Sequence, residues 1–217
     1  MKNMISQEPS VKKMISQATI DRLPLYFRTL RLVEDEAIPI ISSDELGRRL
    51  DITPEQIRKD LATFGQFGRK GIGYDVRELK NQIANILGLY KNWRLAIVGV
   101  GHLGGALANY VNFASLGFSV VALLDVNKKI IGTQVNGITV SNAARINKVI
   151  AENEVDIGVI TVPVSQAQGV ADALVAAGVK GIWNFAPTKL NVPQTVPLVN
   201  EDLSIGLSAL SYHMTQE

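Results

Sequence analysis

The stretch from Leu95 to Gly105 reads LAIVGVGHLGG, and it decides how the larger part of this chain folds. Its first four residues form an apolar run of the length of a buried strand, after which Gly99, Gly101 and Gly104 match the pattern G-x-G-x-x-G. Beyond the glycines, apolar residues recur at intervals of three and four, as they do along one face of a helix. A glycine-rich turn between a buried strand and a helix is the setting in which this pattern binds a dinucleotide.

Each of the three glycines serves a different purpose in such a loop. Gly99 permits the tight turn, Gly101 lets a pyrophosphate approach the backbone, and Gly104 allows the helix to pack closely on the strand. The start of the helix adds free N–H groups and the positive end of its dipole. The sequence therefore predicts a phosphate-binding loop formed by Gly99, Val100, Gly101, His102, Leu103 and Gly104.

An acidic residue after the next apolar run indicates which dinucleotide would bind. Ser119–Leu124 has the character of a second buried strand, and Asp125 follows it directly. A carboxylate there accepts hydrogen bonds from the adenosine ribose and repels the additional phosphate of NADP. We therefore predict that the loop and Asp125 bind NADH and NAD+. The alternative is a glycine turn in another α/β fold, with Asp125 simply hydrated.

Length and composition exclude several classes of protein. With 217 residues, the chain is long enough for one large domain or two small ones. No apolar run approaches the roughly 18 residues of a membrane helix, and charged residues interrupt the N-terminal region where a signal peptide would need an apolar core. The sequence has no cysteine, which excludes disulfides, thiol catalysis and cysteine-bound metal. We expect a cytoplasmic protein without a metal site.

From Trp93 onward, the sequence alternates between apolar strands and helices. Such strands indicate a parallel sheet covered on both faces, and open sheets of this kind bind ligands beyond the carboxyl ends of their strands. The strands are predicted at Leu95–Val98, Val120–Leu124, Ile157–Ile160, Gly181–Asn184 and Val196–Val199, and the helices at about Gly101–Leu116, Ser141–Glu152 and Gln166–Ala177. Further cofactor contacts are predicted at the strand ends, at Thr161, Val162, Pro163, Asn184, Phe185 and Ala186. Ordinary loop structure is the alternative for each of them.

The N-terminal part contains the signals of three successive helices. A long helix is predicted from Ser16 to about Glu36, where apolar residues recur at steps of three and four. Two capping boxes follow, one starting at Ser42 and one at Thr53. Two short helices joined by a tight turn, the second of them basic, are typical of a helix-turn-helix motif.

A glycine-rich segment, Gly65–Tyr74, follows the second short helix and reads as a β-hairpin with Arg69 and Lys70 near its tip. A basic helix next to a basic hairpin is typical of a winged-helix DNA-binding domain. The predicted DNA contacts are Ser43, Thr53, Gln56, Arg58, Lys59, Arg69 and Lys70. The alternative is a small helical dimerisation domain with a hydrated charged face.

An enzyme would need more than the sequence offers. A dehydrogenase requires a proton donor beside the nicotinamide and room for a substrate, and the two histidines lie in the phosphate loop and near the C-terminus. We therefore assign no catalytic residue. An NAD-dependent oxidoreductase with a helical N-terminal extension is the alternative function, and a purely structural dimer module is a third.

Taken together, these motifs resemble the Rex family of redox-sensing transcriptional repressors. The similarity extends from about Ile20 to Tyr212. It is most specific over Phe64–Tyr74, which contains the predicted hairpin, or wing. It implies a cytoplasmic homodimer with an N-terminal winged-helix domain and a C-terminal Rossmann-like domain. It also implies that the C-terminal helix is swapped between subunits, and that the NADH/NAD+ ratio controls binding to palindromic operator DNA.

We accordingly expect an α/β protein with four segments. These are a flexible arm over residues 1–15, a winged-helix domain over 16–90, a Rossmann NAD(H)-binding domain over 91–202 and a dimerisation helix over 203–217. By residue pattern alone, the last helix could also pack on its own sheet. For the switch between DNA-bound and released states, we expect an ion pair of Arg28 with Asp202 in one state and a contact of Tyr110 with Asp202 in the other; unrelated surface charges are the alternative.

Overall fold

The computed structural model describes residues 15–69 and 71–215. The chain divides into two compact units, with the division between Gly88 and Leu89. Most of the predicted N-terminal arm, and Lys70 of the predicted wing, lie outside the described residues.

The first unit is helical, with one small antiparallel sheet. Its elements are α1 (Gln17–Asp35), β1 (Ile40–Ile41), α2 (Ser43–Leu50), α3 (Pro54–Ala62), β2 (Tyr74–Asp75) and α4 (Val76–Leu87). Helix α1 packs against α4 and α2, and α2 packs against α3. The core between them is formed by fully buried side chains such as Leu30, Leu46 and Ile57.

The predicted start signals mark the helices of this unit correctly. Ser16, Ser42 and Thr53 are the N-caps of α1, α2 and α3, and each side chain accepts a hydrogen bond from a backbone N–H three residues later. The second capping box is nevertheless incomplete, because the Gln56 amide donates to Asp60 instead of returning to the cap.

The predicted wing is smaller than a regular hairpin. Within it, Arg69 and Gly73 form a single antiparallel bridge, with Arg69 N donating to Gly73 O at 3.0 Å. Tyr74, expected in the hairpin, instead pairs with Ile41, so the β2 strand belongs to a sheet with β1. The reason is local: Gly68, Gly71 and Gly73 all have positive φ, which bends the chain sharply between its few paired residues.

The second unit is a layered α/β structure. Its strands are β3 (Trp93–Val98), β4 (Phe118–Asp125), β5 (Gln134–Val135), β6 (Ile138–Asn142), β7 (Ile157–Ile160), β8 (Gly181–Asn184) and β9 (Leu198–Asn200). Its α-helices are α5 (His102–Ala108), α6 (Asn112–Ser115), α7 (Ile146–Glu152), α8 (Val164–Ala176) and α9 (Leu203–Met214).

The strands form one sheet in the order β5-β6-β4-β3-β7-β8-β9. All neighbours run parallel except β5, which is antiparallel to β6. Strand β4, which follows β3 in the chain, lies on one side of β3, and β7, which comes later, lies on the other side. The order of the strands therefore reverses direction at β3. This reversal is the switch point beyond which doubly wound sheets bind ligands.

Successive residues of β3 bury opposite faces of the sheet. Leu95 and Ile97 pack into a cluster on the face that carries α5, and Ala96 and Val98 pack into a cluster with α7 and α8 on the other face. Because both faces are apolar, the strand reads as a continuous hydrophobic run in the sequence.

Two predicted helices of this unit were wrong in extent. The helix expected over Gly101–Leu116 is broken after Ala108, where the Asn109 side chain donates to the Gly105 carbonyl oxygen and ends α5. The helix expected over Ser141–Glu152 begins only at Ile146, because Ser141 lies in strand β6. The last strand, expected over Val196–Val199, lies at Leu198–Asn200.

Strands β5 and β6 were not predicted. They form a hairpin around Asn136 and Gly137, whose φ angles are 51° and 75°. Positive φ at both central residues is the geometry that the pair Asn-Gly favours between two strands. Apolar residues flank this pair, so the signal was present in the sequence.

Helix α9 has no buried residue. Its large apolar side chains are Leu203, Ile205, Leu207, Leu210, Tyr212 and Met214, and each of them is more than half exposed. So many exposed apolar side chains on one helix ordinarily mark an interaction surface. The alternative that this helix packs on its own sheet is therefore wrong for the chain taken singly.

Candidate functional site

The glycine loop lies between the end of β3 and the start of α5. Gly99 has a φ of +98°, and a Cβ placed on it would lie 2.7 Å from the carbonyl oxygen of Thr161. A Cβ on Gly104 would overlap the Gly99 carbonyl oxygen. A Cβ on Gly101 would meet no heavy atom within 4 Å. Two glycines thus close the turn onto β7, and the third leaves open space against the backbone.

The Asp125 carboxylate lies beside this loop. Its Oδ2 accepts a hydrogen bond from Val100 N at 2.6 Å, and its Oδ1 accepts one from Asn127 N at 2.7 Å. These contacts fix the carboxylate at the end of β4, next to the glycines. Each oxygen keeps a second lone pair, which a ribose hydroxyl could use.

A pocket of about 280 Å³ opens at this edge of the sheet. Its lining joins the glycine loop, Asp125 and the segment after β7: Gly99, Gly101, Asp125, Thr161, Val162 and Pro163. All six are predicted cofactor residues. The pocket also includes five residues that were not predicted to bind the cofactor: Val98, Val126, Ala143, Gln166 and Val170. Gln166 was detectable, since it belongs to the first turn of a helix that starts at a strand end.

The segments after β7 and β8 are held by their own side chains. Thr161 Oγ1 donates to the carbonyl oxygens of Val98 and Gly99, at 3.1 and 2.6 Å. Asn184 is fully buried and donates to the carbonyl oxygens of Ala186 and Thr188. Asn184 therefore supports its loop from within.

Phe185 is the last member of an aromatic row. Its ring lies 4.5 Å from that of Trp183, which lies 6.0 Å from Phe113, and Phe113 in turn contacts Tyr110 at 4.9 Å. Trp183 was not among the predicted residues, because inside a predicted strand an aromatic residue reads as core. Its ring is only half-buried, on the sheet face that carries α5.

In the first unit, several predicted DNA contacts already have protein partners. Arg58 Nη1 donates to Ser43 Oγ at 2.7 Å, which joins α3 to α2. Thr53 accepts a hydrogen bond from Gln56 N as an N-cap, and the Gln56 amide donates to Asp60 at 2.7 Å. Of these residues, Ser43 is buried and Arg58 is exposed.

Arg58 also borders a groove of about 680 Å³ between α3 and the wing segment. Arg69 also lines this groove. Lys59 and Arg69 are exposed. Two arginine side chains thus line the groove, a charge pattern that suits phosphate.

Of the three predicted switch residues, one lies in the first unit and two lie in the second. Arg28 is exposed on α1. Asp202 is the N-cap of α9, and its carboxylate accepts hydrogen bonds from the Ser204 N–H and hydroxyl, which lower its pKa. Tyr110 accepts a hydrogen bond from the Asn112 amide at 3.3 Å, and it follows α5 rather than lying within it.

The described residues contain no helix that is long and apolar enough to cross a membrane.

Two family models match the chain, one in each unit. Residues 14–62 match "Putative DNA-binding protein N-terminus", and residues 90–188 match "CoA binding domain".

The chain is also similar to curated proteins over nearly its whole length. It is 48% identical over 199 residues to the redox-sensing transcriptional repressor Rex of Streptomyces griseus, a match that covers 92% of this chain and 79% of the relative. It is 45% identical to the protein of the same name from Syntrophobacter fumaroxidans, over 93% of this chain and 96% of the relative.

Solved structures give the same result. The fold is similar to that of RSP, described as a Rex-family repressor, in complex with β-NAD+ and operator DNA, with a TM-score of 0.89 and 41% identity over 94% of each chain. It is similar to RSP in complex with β-NADH, with a TM-score of 0.87 and 40% identity over 94% of this chain and 96% of that one.

Proposed function

The chain belongs to the Rex family of redox-sensing transcriptional repressors, and from that membership we propose how its two units share one function. The protein is a repressor that binds operator DNA and responds to NADH and NAD+, and it is not an enzyme. One observation supports this best: the same chain carries two different binding motifs. The first unit has a helix-turn-helix whose second helix presents exposed basic residues, and the second unit has a glycine loop with the Asp125 carboxylate fixed beside it.

We propose that the second unit binds NAD(H) along the carboxyl ends of β3, β4 and β7. The open space at Gly101 admits the pyrophosphate, which the free N–H groups at the start of α5 would bind. Asp125 would bind the adenosine ribose. The apolar part of the pocket, with Val126 and Val170, suits the adenine ring. Among the remaining predicted contacts, His102 and Leu103 are the first residues of α5, and Ala186 follows strand β8.

The discrimination between the two redox forms would arise at the nicotinamide. The oxidised ring carries a positive charge, and the reduced ring is neutral. An apolar environment disfavours an unpaired charge, and the row of Phe113, Trp183 and Phe185 supplies such an environment. We therefore expect NADH to bind more tightly than NAD+.

The first unit would bind DNA through α3 and the wing. Arg58 and Lys59 project from α3, and Arg69 and Lys70 belong to the wing segment. A recognition helix in the major groove reads base edges, and basic residues around it bind phosphates. Of the polar residues predicted to contact DNA, Thr53 is exposed, whereas Ser43 is buried and Gln56 donates to Asp60.

We propose that the active form is a cytoplasmic homodimer. The apolar side chains of α9 are exposed in the single chain, and the swap of this helix into a second copy would bury them. A dimer also suits a palindromic operator, because its two recognition helices meet successive major grooves only when set about 34–36 Å apart.

Because the two recognition helices must keep this spacing, a modest rotation of one subunit against the other is enough to release the DNA. NADH must prefer the dimer arrangement that does not fit the operator, since tighter binding alone shifts no equilibrium. The expected switch contacts are Arg28 with Asp202 in the DNA-bound state and Tyr110 with Asp202 in the released state. Loss of Asp202 should then change the response to the cofactor as well as the helix cap.

The test is operator binding titrated with each cofactor, on the wild type and on Asp202→Ala. Release of DNA by NADH, and not by an equal concentration of NAD+, would support the function. Equal release by both forms, or by neither, would show that the protein does not sense redox state. Turnover of an alcohol, aldehyde or hydroxy acid with NAD+ or NADH would instead favour the oxidoreductase alternative.

A further inference from the structure

Asp60, on helix α3, is a buried carboxylate with an unusually complete set of hydrogen bonds. Its side chain is 1% exposed. Five bonds reach its two oxygens: Thr19 Oγ1 at 3.2 Å, Arg22 Nε at 2.6 Å, Arg22 Nη2 at 2.8 Å, Tyr26 Oη at 2.6 Å and Gln56 Nε2 at 2.7 Å. We call these residues the Asp60 cluster.

The cluster joins two helices. Thr19, Arg22 and Tyr26 lie at steps of three and four on α1, so they share one face of that helix. Asp60 and Gln56 are one turn apart on α3. Each hydrogen bond is directional, and those from the guanidinium are charge-assisted. The carboxylate therefore fixes both the separation of α1 and α3 and the rotation of α3 about its own axis.

The apolar contacts of α3 leave this rotation less well determined. The helix has nine residues, and two of its large apolar side chains, Ile57 and Leu61, are buried. At about 100° per residue, Asp60 lies on the edge of the buried arc, and Arg58 lies roughly 160° from it around the helix. A small rotation of α3 would move Arg58 and Lys59 across the DNA-facing side while keeping both apolar residues covered.

We propose that Asp60 is the positioning residue of the DNA-reading helix, and that its carboxylate orients α3 on α1 so that the protein discriminates operator sequence from other DNA. This inference rests on the proposed DNA-binding function. It assigns a role to a residue that does not itself face DNA.

The charge state of the cluster suits this role. Burial alone raises the pKa of Asp60, but the hydrogen bonds from Arg22, Tyr26 and Gln56 and the charge of Arg22 outweigh it and lower the pKa to about 2. Burial, together with the bond to Asp60, raises the pKa of the Tyr26 hydroxyl. The carboxylate thus stays ionised and the phenol stays protonated under the conditions of any DNA-binding experiment.

The variants that test the proposal separate positioning from stability. Asp60→Asn keeps the side-chain shape but replaces one acceptor oxygen with a donor, which leaves the Arg22 guanidinium without its counter-charge. The double variant Asp60→Leu, Arg22→Leu removes both charges, and apolar replacement of a buried ion pair often preserves or improves stability. Asp21→Asn removes the same charge from an exposed position on α1 and serves as the control.

Two duplexes of equal length serve as probes. One is selected by the wild-type protein from a randomised pool, and the other has random sequence. We expect Asp60→Asn and the double variant to bind the selected duplex about 10- to 100-fold more weakly, the loss typical of a misplaced base contact. Binding to the random duplex, which depends on phosphates, should change by less than about threefold. NADH binding should be unchanged in every variant.

These binding measurements either support or overturn the positioning role of Asp60. A folded double variant with wild-type preference for the selected duplex would overturn the proposal, as would an equal loss of affinity for both duplexes. If Asp60→Asn does not fold, the double variant alone carries the test. If the wild-type protein selects no sequence at all, the proposed DNA-binding function has failed, which differs from failure of the role given to Asp60.

Discussion

Gly104 is the position at which a single methyl group should most directly disable the cofactor site. A Cβ there would overlap the Gly99 carbonyl oxygen and lie 2.8 Å from Thr161 Oγ1. The first of these atoms belongs to the backbone and cannot rotate away. In Gly104→Ala, α5 must therefore move away from the end of β3 by roughly 1 Å to restore normal contact.

The size of the effect follows from what α5 carries. Its first N–H groups are the proposed ligands of the pyrophosphate, and a hydrogen bond to a charged group is worth about 1.5–3 kcal/mol. Loss of one such bond would weaken NADH binding about 10- to 150-fold. The strain should also cost about 1–3 kcal/mol of stability in the second unit.

The neighbouring glycine provides a matched control. A Cβ on Gly105 would meet no heavy atom within 4 Å, although Gly105 lies in the same helix. Gly105→Ala should bind NADH normally and gain about 0.5–1 kcal/mol of stability, since alanine is the better helix former. The measurements are calorimetric titration with NADH and thermal unfolding of both variants.

The reasoning would be refuted if Gly104→Ala bound NADH with wild-type affinity and melted at the wild-type temperature. DNA binding without cofactor serves as the folding check, because Gly104 lies in the second unit and the proposed DNA contacts lie in the first. A variant that loses NADH binding but keeps DNA binding would identify the loop as the cause.

Three further predictions concern other parts of the second unit. Asp125→Ala should lose the preference for NADH over NADPH in calorimetry, and equal affinity of the wild type for the two would contradict the role of this carboxylate. Burial raises the pKa of Asp156, but the hydrogen bonds from the Lys180 ammonium and the Arg94 N–H outweigh it and lower the pKa. The ionised carboxylate therefore stabilises the folded protein. This contribution is complete above the unfolded pKa of about 3.9 and is lost as the pH falls toward the folded value. Asp156→Asn should thus cost about 1 kcal/mol at pH 7, a value reduced by the exposure of Lys180, and should flatten the loss of melting temperature below pH 4. Leu207→Arg on α9 should shift the protein from dimer to monomer in analytical ultracentrifugation, and a wild type that sediments as a monomer would show that α9 has no such partner.

The sequence was most informative where one pattern satisfied several physical requirements at once. The end of β3 had to be apolar on both faces, and the following turn had to combine positive φ at Gly99 with close packing at Gly104. Few sequences meet these conditions together, so the strand, the loop and the start of α5 were all predicted. Strands β7 and β8 were predicted to the residue for the related reason that both are short, apolar and bounded by turn residues.

Prediction failed where the decisive contact lay far away in the sequence. The early end of α5 is an exception, because the Asn109 amide that ends it bonds to Gly105, only four residues away. Ser141 and Asn142 pair with Leu124 and Asp125 of β4, which overrides their role as a helix start. In the first unit, Tyr74 pairs with Ile41 across more than thirty residues, and the described residues of the wing form one bridge, between Arg69 and Gly73.

The pattern of basic residues on α3 also could not reveal which side chains are committed to other parts of the protein. Arg58 carries five donors, and its bond to Ser43 leaves the others available for a base or a phosphate while it limits the directions that the guanidinium can take. Gln56 donates to Asp60 but keeps its carbonyl oxygen and a second amide hydrogen. A side chain that is already oriented loses less conformational entropy when it binds than a free one such as an exposed lysine. On these grounds Arg58 is a better candidate for reading bases, and Lys59, exposed on the next position of α3, is better suited to the phosphates, where a compact charge needs no fixed direction.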